Sequence, residues 1–229
     1  MKIKVSGMCV PENISAVMEL GVDMVSFDFR PQSKRFVSMF SSNAGIIPDY
    51  SGWNVDGKNK SGGEATSGHG CMLSGIFADD MPQNIITRIY NYNLDSVELS
   101  GSESPIMIDN LRRTVVPDIR RKLYVIKHVC ITKAEDFSCC SQFERLVDCF
   151  VFDVSMLTEA NIKNFDQLVE AYEGIAPYFL SGGFAGMLLK KDNIIKDRRF
   201  VGVDLREDIE KEPGLIDLDK LTALMKMHD

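Results

Sequence analysis

Apolar residues fall along this chain in two alternating rhythms. Eight short runs of strand length lie at 2–6, 24–29, 71–77, 96–100, 123–129, 149–154, 178–180 and 200–204. The stretches between them carry apolar residues three and four apart, the spacing of one helix face. Ile14, Val17 and Met18 make such a face, stopped by Gly21. Pro82 opens a segment bearing Ile85, Ile86 and Ile89, and Ser104-Pro105 reads as an N-cap followed by proline at the first helical position. The last segment, 218–228, sets Leu218, Leu221 and Leu224 or Met225 on one face. Eight strand–helix units in a row imply right-handed crossovers and a parallel sheet covered on both faces. Closed into a ring they form one α/β unit, a single (β/α)8 barrel spanning 1–229, with its chemistry at the C-terminal ends of the strands.

One interval breaks the rhythm. Between the second and third strands, 38–70 is rich in Ser, Gly and Asn, and contains Trp53 and His69. Phe40 and Ile46-Ile47 could belong to a short helix there. The remainder reads as a long loop or lid beside the barrel mouth and the least ordered part of the chain. Trp53 and His69 are read as local packing or surface.

Composition narrows the classes. The chain has 229 residues, 45% hydrophobic and 26% charged, as in an ordinary globular protein. A formal net charge of −7 leaves no basic stripe for a nucleic-acid backbone, so no nucleic-acid partner is expected. Six cysteines and three histidines lack metal-ligand spacing, so neither a metal nor another cofactor is expected. No run approaches the ~18 apolar residues of a membrane span, and charge interrupts the opening run, so neither a membrane partner nor a secretory leader is expected. Reduced thiols fit a cytoplasmic location.

The strand ends carry more specific signals. Lys4-Val5-Ser6-Gly7 closes the first run and Phe29-Arg30-Pro31-Gln32-Ser33-Lys34-Arg35 follows the second. Asp95-Ser96-Val97-Glu98-Leu99-Ser100-Gly101, Phe152-Asp153 and Ser181-Gly182-Gly183 mark the fourth, sixth and seventh. Asp204, Glu210, Pro213-Gly214 and Asp217 mark the tail. In this order, over nearly the full length, they resemble the phosphoribosylanthranilate isomerase family of tryptophan biosynthesis, whose corresponding motifs include Lys-Ile/Val-Cys-Gly and Asp-x-Val-Gln-Leu-His-Gly.

The resemblance implies an Amadori rearrangement, in which an acid protonates the furanose ring oxygen and a base removes the proton from sugar carbon 2. It implies Asp153 as the acid and position 6 as the base. Arg35 would grip the anthranilate carboxylate, and Glu98 would stand among the substrate contacts. The phosphate would rest on the turns at Ser181, Gly182, Gly183 and Arg206. The partner implied is a phosphorylated small molecule, and the chain is expected as a monomer or homodimer.

Three departures bear on activity. Serine replaces the cysteine base, and a hydroxyl does not ionise usefully near neutrality. Cys9, three residues on, is a candidate substitute. The sixth loop, Ser155-Met156-Leu157-Thr158-Glu159-Ala160-Asn161, has no glycine. Arg206-Glu207-Asp208 puts two carboxylates where an anion would sit. Asp28, Glu98 and Asp153 either converge on the mouth, raising the pKa of one, or Asp28 instead bonds Arg30 or nearby backbone. Two functions follow: an isomerase of weak or absent activity, or a paralogue that binds or converts a different ligand. Ser6→Cys alone is expected to restore little activity, and to do more when combined with small neutral residues at 206–208.

Overall fold

The structure, a computed structural model, describes residues 1–38, 40–42, 45–47, 70–157, 165–183 and 197–226. Eight parallel strands close into a barrel: β1 (Lys2–Ser6), β2 (Met24–Asp28), β5 (Met72–Phe77), β6 (Ser96–Leu99), β7 (Tyr124–Cys130), β8 (Cys149–Asp153), β9 (Tyr178–Ser181) and β10 (Phe200–Leu205). β10 returns to pair with β1, so no edge remains. The fold is the expected (β/α)8 barrel, with strand boundaries within one residue of the apolar runs.

The 38–70 interval differs from expectation where it is described. Phe40 and Ile46-Ile47 belong to a hairpin, β3 (Phe40–Ser42) and β4 (Gly45–Ile47), with Phe40 opposite Ile47, rather than to a helix. A helix of that length would leave most of its terminal N–H and C=O groups without partners, which the hairpin pairs. The expectations for Trp53, His69 and residues 158–161 lie outside the described residues.

The helices form where the spacing placed them. α1 (Pro11–Glu19) buries Ile14, Val17 and Met18, and Gly21 then takes φ +87°. α2 (Pro82–Asn91) buries Ile85 and Ile89. α3 (Pro105–Val115) starts at Ser104, whose Oγ accepts the Met107 N–H at 3.2 Å. α4 is Phe165–Glu170, and α5 (Leu218–Lys226) buries Leu221.

Strand alternation splits the interior in two. Outward positions such as Val5, Phe27, Val97, Val125, Phe152, Leu180 and Val203 join the large core under the helices. Inward positions Met24, Ile126, Cys149, Val151 and Phe179 form a separate apolar cluster inside the barrel. Above it the lumen turns polar. The register aligns Ser6, Ser26, Ser74 and Ser96 across β1, β2, β5 and β6. A second row aligns Asp153, Ser181, Asp204 and Lys4 across β8, β9, β10 and β1.

Candidate active site

The centre of the polar lumen is an ion network. Lys4 Nζ lies 2.8 Å from Glu98 Oε2 and 3.0 Å from Asp204 Oδ1, and donates to Ser6 Oγ. Ser6 donates its own proton to Asp204 Oδ1 at 2.5 Å. Arg206 Nη2 completes the group, 3.0 Å from Asp204 and 3.2 Å from Glu98. Lys4, Ser6, Glu98 and Asp204 have no exposed surface. Burial pushes both carboxyls up, but Lys4 and Arg206 outweigh it and hold Glu98 and Asp204 below the usual carboxylate range. The network is two cations on two anions, so its four charges balance.

Around this centre every further arginine at the mouth is also paired. Arg30 Nη2 meets Asp28 Oδ2 at 2.7 Å and its backbone N–H donates to Asp28 Oδ1. Burial raises Asp28, and the Arg30 bonds bring it below its ordinary value. The bond to Arg30 is therefore the Asp28 arrangement found, on a strand position that also faces inward. Arg35 lies across Gly7, where a β-carbon would collide with the arginine Cδ and where φ is +81°. Its guanidinium is held by Glu210 at 2.5 Å and by Glu207 at 3.3 Å.

Asp153 ends β8. Burial raises its carboxyl, yet the contact with His128 and the bonds from Ser155 hold it well below the usual range. The Ser155 N–H donates to Oδ1 at 2.9 Å, and His128 Nε2 stands 3.4 Å from Oδ2. Of the two arrangements left open, the one in which Asp28 bonds Arg30 is present, and no carboxyl of Asp28, Glu98 and Asp153 is raised: each has its own cation or donors and is held below its ordinary value. A cavity of 600 Å³ opens beside this pair, lined by Ser100, Gly101, Lys127, His128 and Cys130.

The turn after β9 has a different environment. Ser181 is fully buried on an inward position, and its hydroxyl has no hydrogen-bond partner. Gly182 takes φ +110°, and a β-carbon there would stand 2.7 Å from the Ser155 backbone nitrogen. A β-carbon on Gly183 would lie 3.1 Å from Asp208 Oδ1, so that carboxylate sits directly over the turn. Burial, then the nearby Glu207, push the Asp208 carboxyl up.

Ser6, Arg35, Glu98, Asp153, Ser181, Gly182, Gly183 and Arg206 therefore gather at or below one end of the barrel. Arg206 points into the lumen, engaged by Asp204 and Glu98. Cys9 is set apart from the chemistry: burial and the Glu210 carboxylate raise its thiol, and Gly214 packs tightly against its sulfur. Lys4 and His128 were not singled out from the sequence. The signal for Lys4 was available, since a charge between Ile3 and Val5 in a strand must face the same way as Ser6. His128 carried no comparable signal, because its partner Asp153 lies on the next strand. Among the described residues no group of three or more His, Cys, Asp or Glu could hold a metal, and no helix is long and apolar enough to cross a membrane.

Comparison with known proteins places this geometry in context. N-(5'-phosphoribosyl)anthranilate isomerase of Parabacteroides distasonis is 31% identical over 96% of this chain and 90% of its own length. The protein of the same name from Phocaeicola vulgatus is 29% identical, covering 95% and 92%. No family model matches the chain. Among solved structures, a phosphoribosyl anthranilate isomerase in complex with reduced 1-(o-carboxyphenylamino)-1-deoxyribulose 5-phosphate superposes with a TM-score of 0.71 at 20% identity, covering 100% of this chain and 98% of that one. The isomerase of Pyrococcus furiosus superposes with a TM-score of 0.69 at 14% identity, covering 100% and 98%. One Thermotoga maritima structure is of monomers generated from a dimeric isomerase, with a TM-score of 0.68 at 20% identity and coverage of 100% and 98%.

Proposed function

The chain belongs to the phosphoribosylanthranilate isomerase family, and on that premise we propose that it is an isomerase-like barrel of tryptophan biosynthesis whose rearrangement of phosphoribosylanthranilate is weak or absent. The observation that carries this reading is Ser6, at the base position, held between Lys4 as donor and Asp204 as acceptor. Asp204 is strongly acidic here, so it makes a poor sink for the serine proton. A thiolate near neutrality has no counterpart in this arrangement. Cys9 does not replace it, because its surroundings disfavour the thiolate.

The acid position supports the same reading. Protonating a ring oxygen requires Asp153 to hold a proton, and His128 and Ser155 stabilise its ionised form instead. Arg35, the residue for the anthranilate carboxylate, already carries Glu210 and Glu207. The protein is proposed as one barrel unit, cytoplasmic, monomeric or homodimeric, acting on a small molecule without a nucleic-acid partner. The paralogue reading shares these supports and differs in taking the barrel to bind or convert a different ligand.

Steady-state assays decide it. Loss of general-base help is expected to lower turnover by ~10²–10⁴-fold, against an ordinary kcat of about 10 s⁻¹. Ser6→Cys alone should recover little. Arg206 balances Glu98 and Asp204, so the combined variant must change both sides: Ser6→Cys with Glu98→Gln, Arg206→Ser and Asp208→Ser should exceed either part. Parent turnover within tenfold of ordinary would overturn the proposal.

A further inference from the structure

His128 lies on an inward position of β7, two residues beyond Ile126, and Asp153 on an inward position of β8, two beyond Val151. The strands pair in parallel, and His128 Nε2 stands 3.4 Å from Asp153 Oδ2. The Ser155 N–H holds the other carboxylate oxygen at 2.9 Å, which fixes Asp153 with Oδ2 at the imidazole. Nε2 is buried, and its contact is longer than a closed hydrogen bond. A histidine serving only the fold would normally close that bond.

His128 also lines the 600 Å³ cavity at the C-terminal ends of β6 and β7, a volume of small-molecule size. One side chain thus joins open space to the carboxylate at the acid position. Asp153 is held ionised by His128 and Ser155, and Ser6 is engaged by Lys4 and Asp204. Neither exchanges a proton readily near neutrality, whereas imidazole as a side chain type does. Among the described residues, Glu98 on β6 feels the charge of His128, and Arg206 after β10 and the Cys130 thiol on β7 feel that of Asp153.

We propose that His128 is a catalytic residue of this site, moving the protons of the rearrangement with Asp153 as its fixed counter-ion. The inference rests on the reading that position 6 and Asp153 do not act here as the family's base and acid, and it names the group that takes over. As imidazolium, His128 gives its proton to the furanose ring oxygen while the bond from carbon 1 to that oxygen breaks. The lone pair of the anthranilate nitrogen then closes a carbon–nitrogen double bond. The neutral imidazole next takes the proton from carbon 2, and the electron pair left behind forms the carbon 1–carbon 2 double bond and neutralises the nitrogen. The enol proton moves to carbon 1 to complete the aminoketose, and His128 ends protonated as it began. No oxidant, reductant or co-reactant is needed. One group serves two steps, so the rate stays below that of a site with a separate acid and base.

Steady-state turnover of phosphoribosylanthranilate by the full chain tests it. His128→Gln keeps a donor toward Asp153 but no group that exchanges a proton near neutrality. It is expected to lower kcat by ~10²–10⁴-fold with KM little changed. His128→Ala should lose as much, and free imidazole in the buffer should return turnover in proportion to its concentration, which a merely structural role would not allow. Denaturant unfolding of each variant checks the fold, and His128→Gln decides the matter if His128→Ala folds poorly. A folded His128→Gln with kcat within about tenfold of the parent, a folded His128→Ala that imidazole does not rescue, or a parent without turnover would overturn the proposal. Parent turnover near the ordinary rate overturns the reading of weak activity instead, whatever the variants do, so the two fail separately.

Discussion

Inside one barrel lumen Met24, Ile126, Cys149, Val151 and Phe179 form an apolar set weighted toward the N-terminal ends of the strands, whereas Lys4, Ser6, Glu98, Asp204 and Arg206 form an ionic set weighted toward the C-terminal ends. The two meet where Lys4 pairs in register with Met24 and Glu98 with Ile126. Both halves are buried, yet burial acts on them in opposite senses. Apolar area removed from water stabilises the lower layer at about 25 cal/mol per Å². In the upper layer, taking ions out of water is costly, and their mutual attraction must offset that cost. A barrel needing only stability would continue the lower layer upward. The ionic half is the part of this lumen that calls for a functional explanation, in the end of the barrel where such sites lie.

The sharpest way to break the contrast is Lys4→Met. It leaves Glu98 and Asp204 buried with only Arg206 between them, and removing one partner from a buried ion network costs about 3–5 kcal/mol. Denaturant unfolding should show that loss as a lower midpoint at unchanged slope. A loss below about 1 kcal/mol, the range of exposed ion pairs, would mean that the network is solvated and that the two halves differ less than their burial indicates.

Acid titration probes the same half without mutation. The carboxyls of Asp28, Glu98, Asp153 and Asp204 are all held below their ordinary values. As pH falls through the unfolded values near ~4, the unfolded chain takes up protons before the folded one. The stabilisation is therefore present above about pH 4 and lost progressively below it. Unfolding midpoints should be nearly level from about pH 5 to 7 and drop steeply below about pH 4. In Lys4→Met the drop should begin at higher pH, because Glu98 and Asp204 lose the main cation that lowers them. An identical profile in parent and variant would assign the acid sensitivity elsewhere.

The smallest effect is expected in the lower layer. Ile126→Val removes one methylene from a packed apolar cluster, at a cost of about 0.5–1.5 kcal/mol, and should leave the acid profile unshifted. A cost several times larger would show that the apolar set positions the ions beside it, since Ile126 pairs in register with Glu98.

Much of this was legible along the chain. The eight apolar runs became the eight barrel strands, and Ser104-Pro105 became the helix start it signals, because period and capping are set by neighbours within a few residues. Phe40 and Ile46-Ile47 misled, since short apolar stretches do not by themselves distinguish helix from strand. The positions of the candidate site were also legible: Ser6, Asp153 and Ser181 each end a strand, and alternation tells which way they face.

The partners of those residues were not legible. Lys4 meets Asp204 across 200 residues of chain, and Arg206 meets Glu98 across 108. Those distances close only because β10 returns beside β1 and the strand register sets Lys4 level with Asp204. The sequence by itself determined a (β/α)8 barrel, the end at which its chemistry lies and the loss of the cysteine. Only the tertiary structure decided that Arg206 turns inward to balance Glu98 and Asp204, that His128 stands beside Asp153, and that Asp208 covers the glycine turn. The physical reason is that a side chain's charge state and reach depend on what burial brings within about 4 Å, and spacing along a chain carries no record of that.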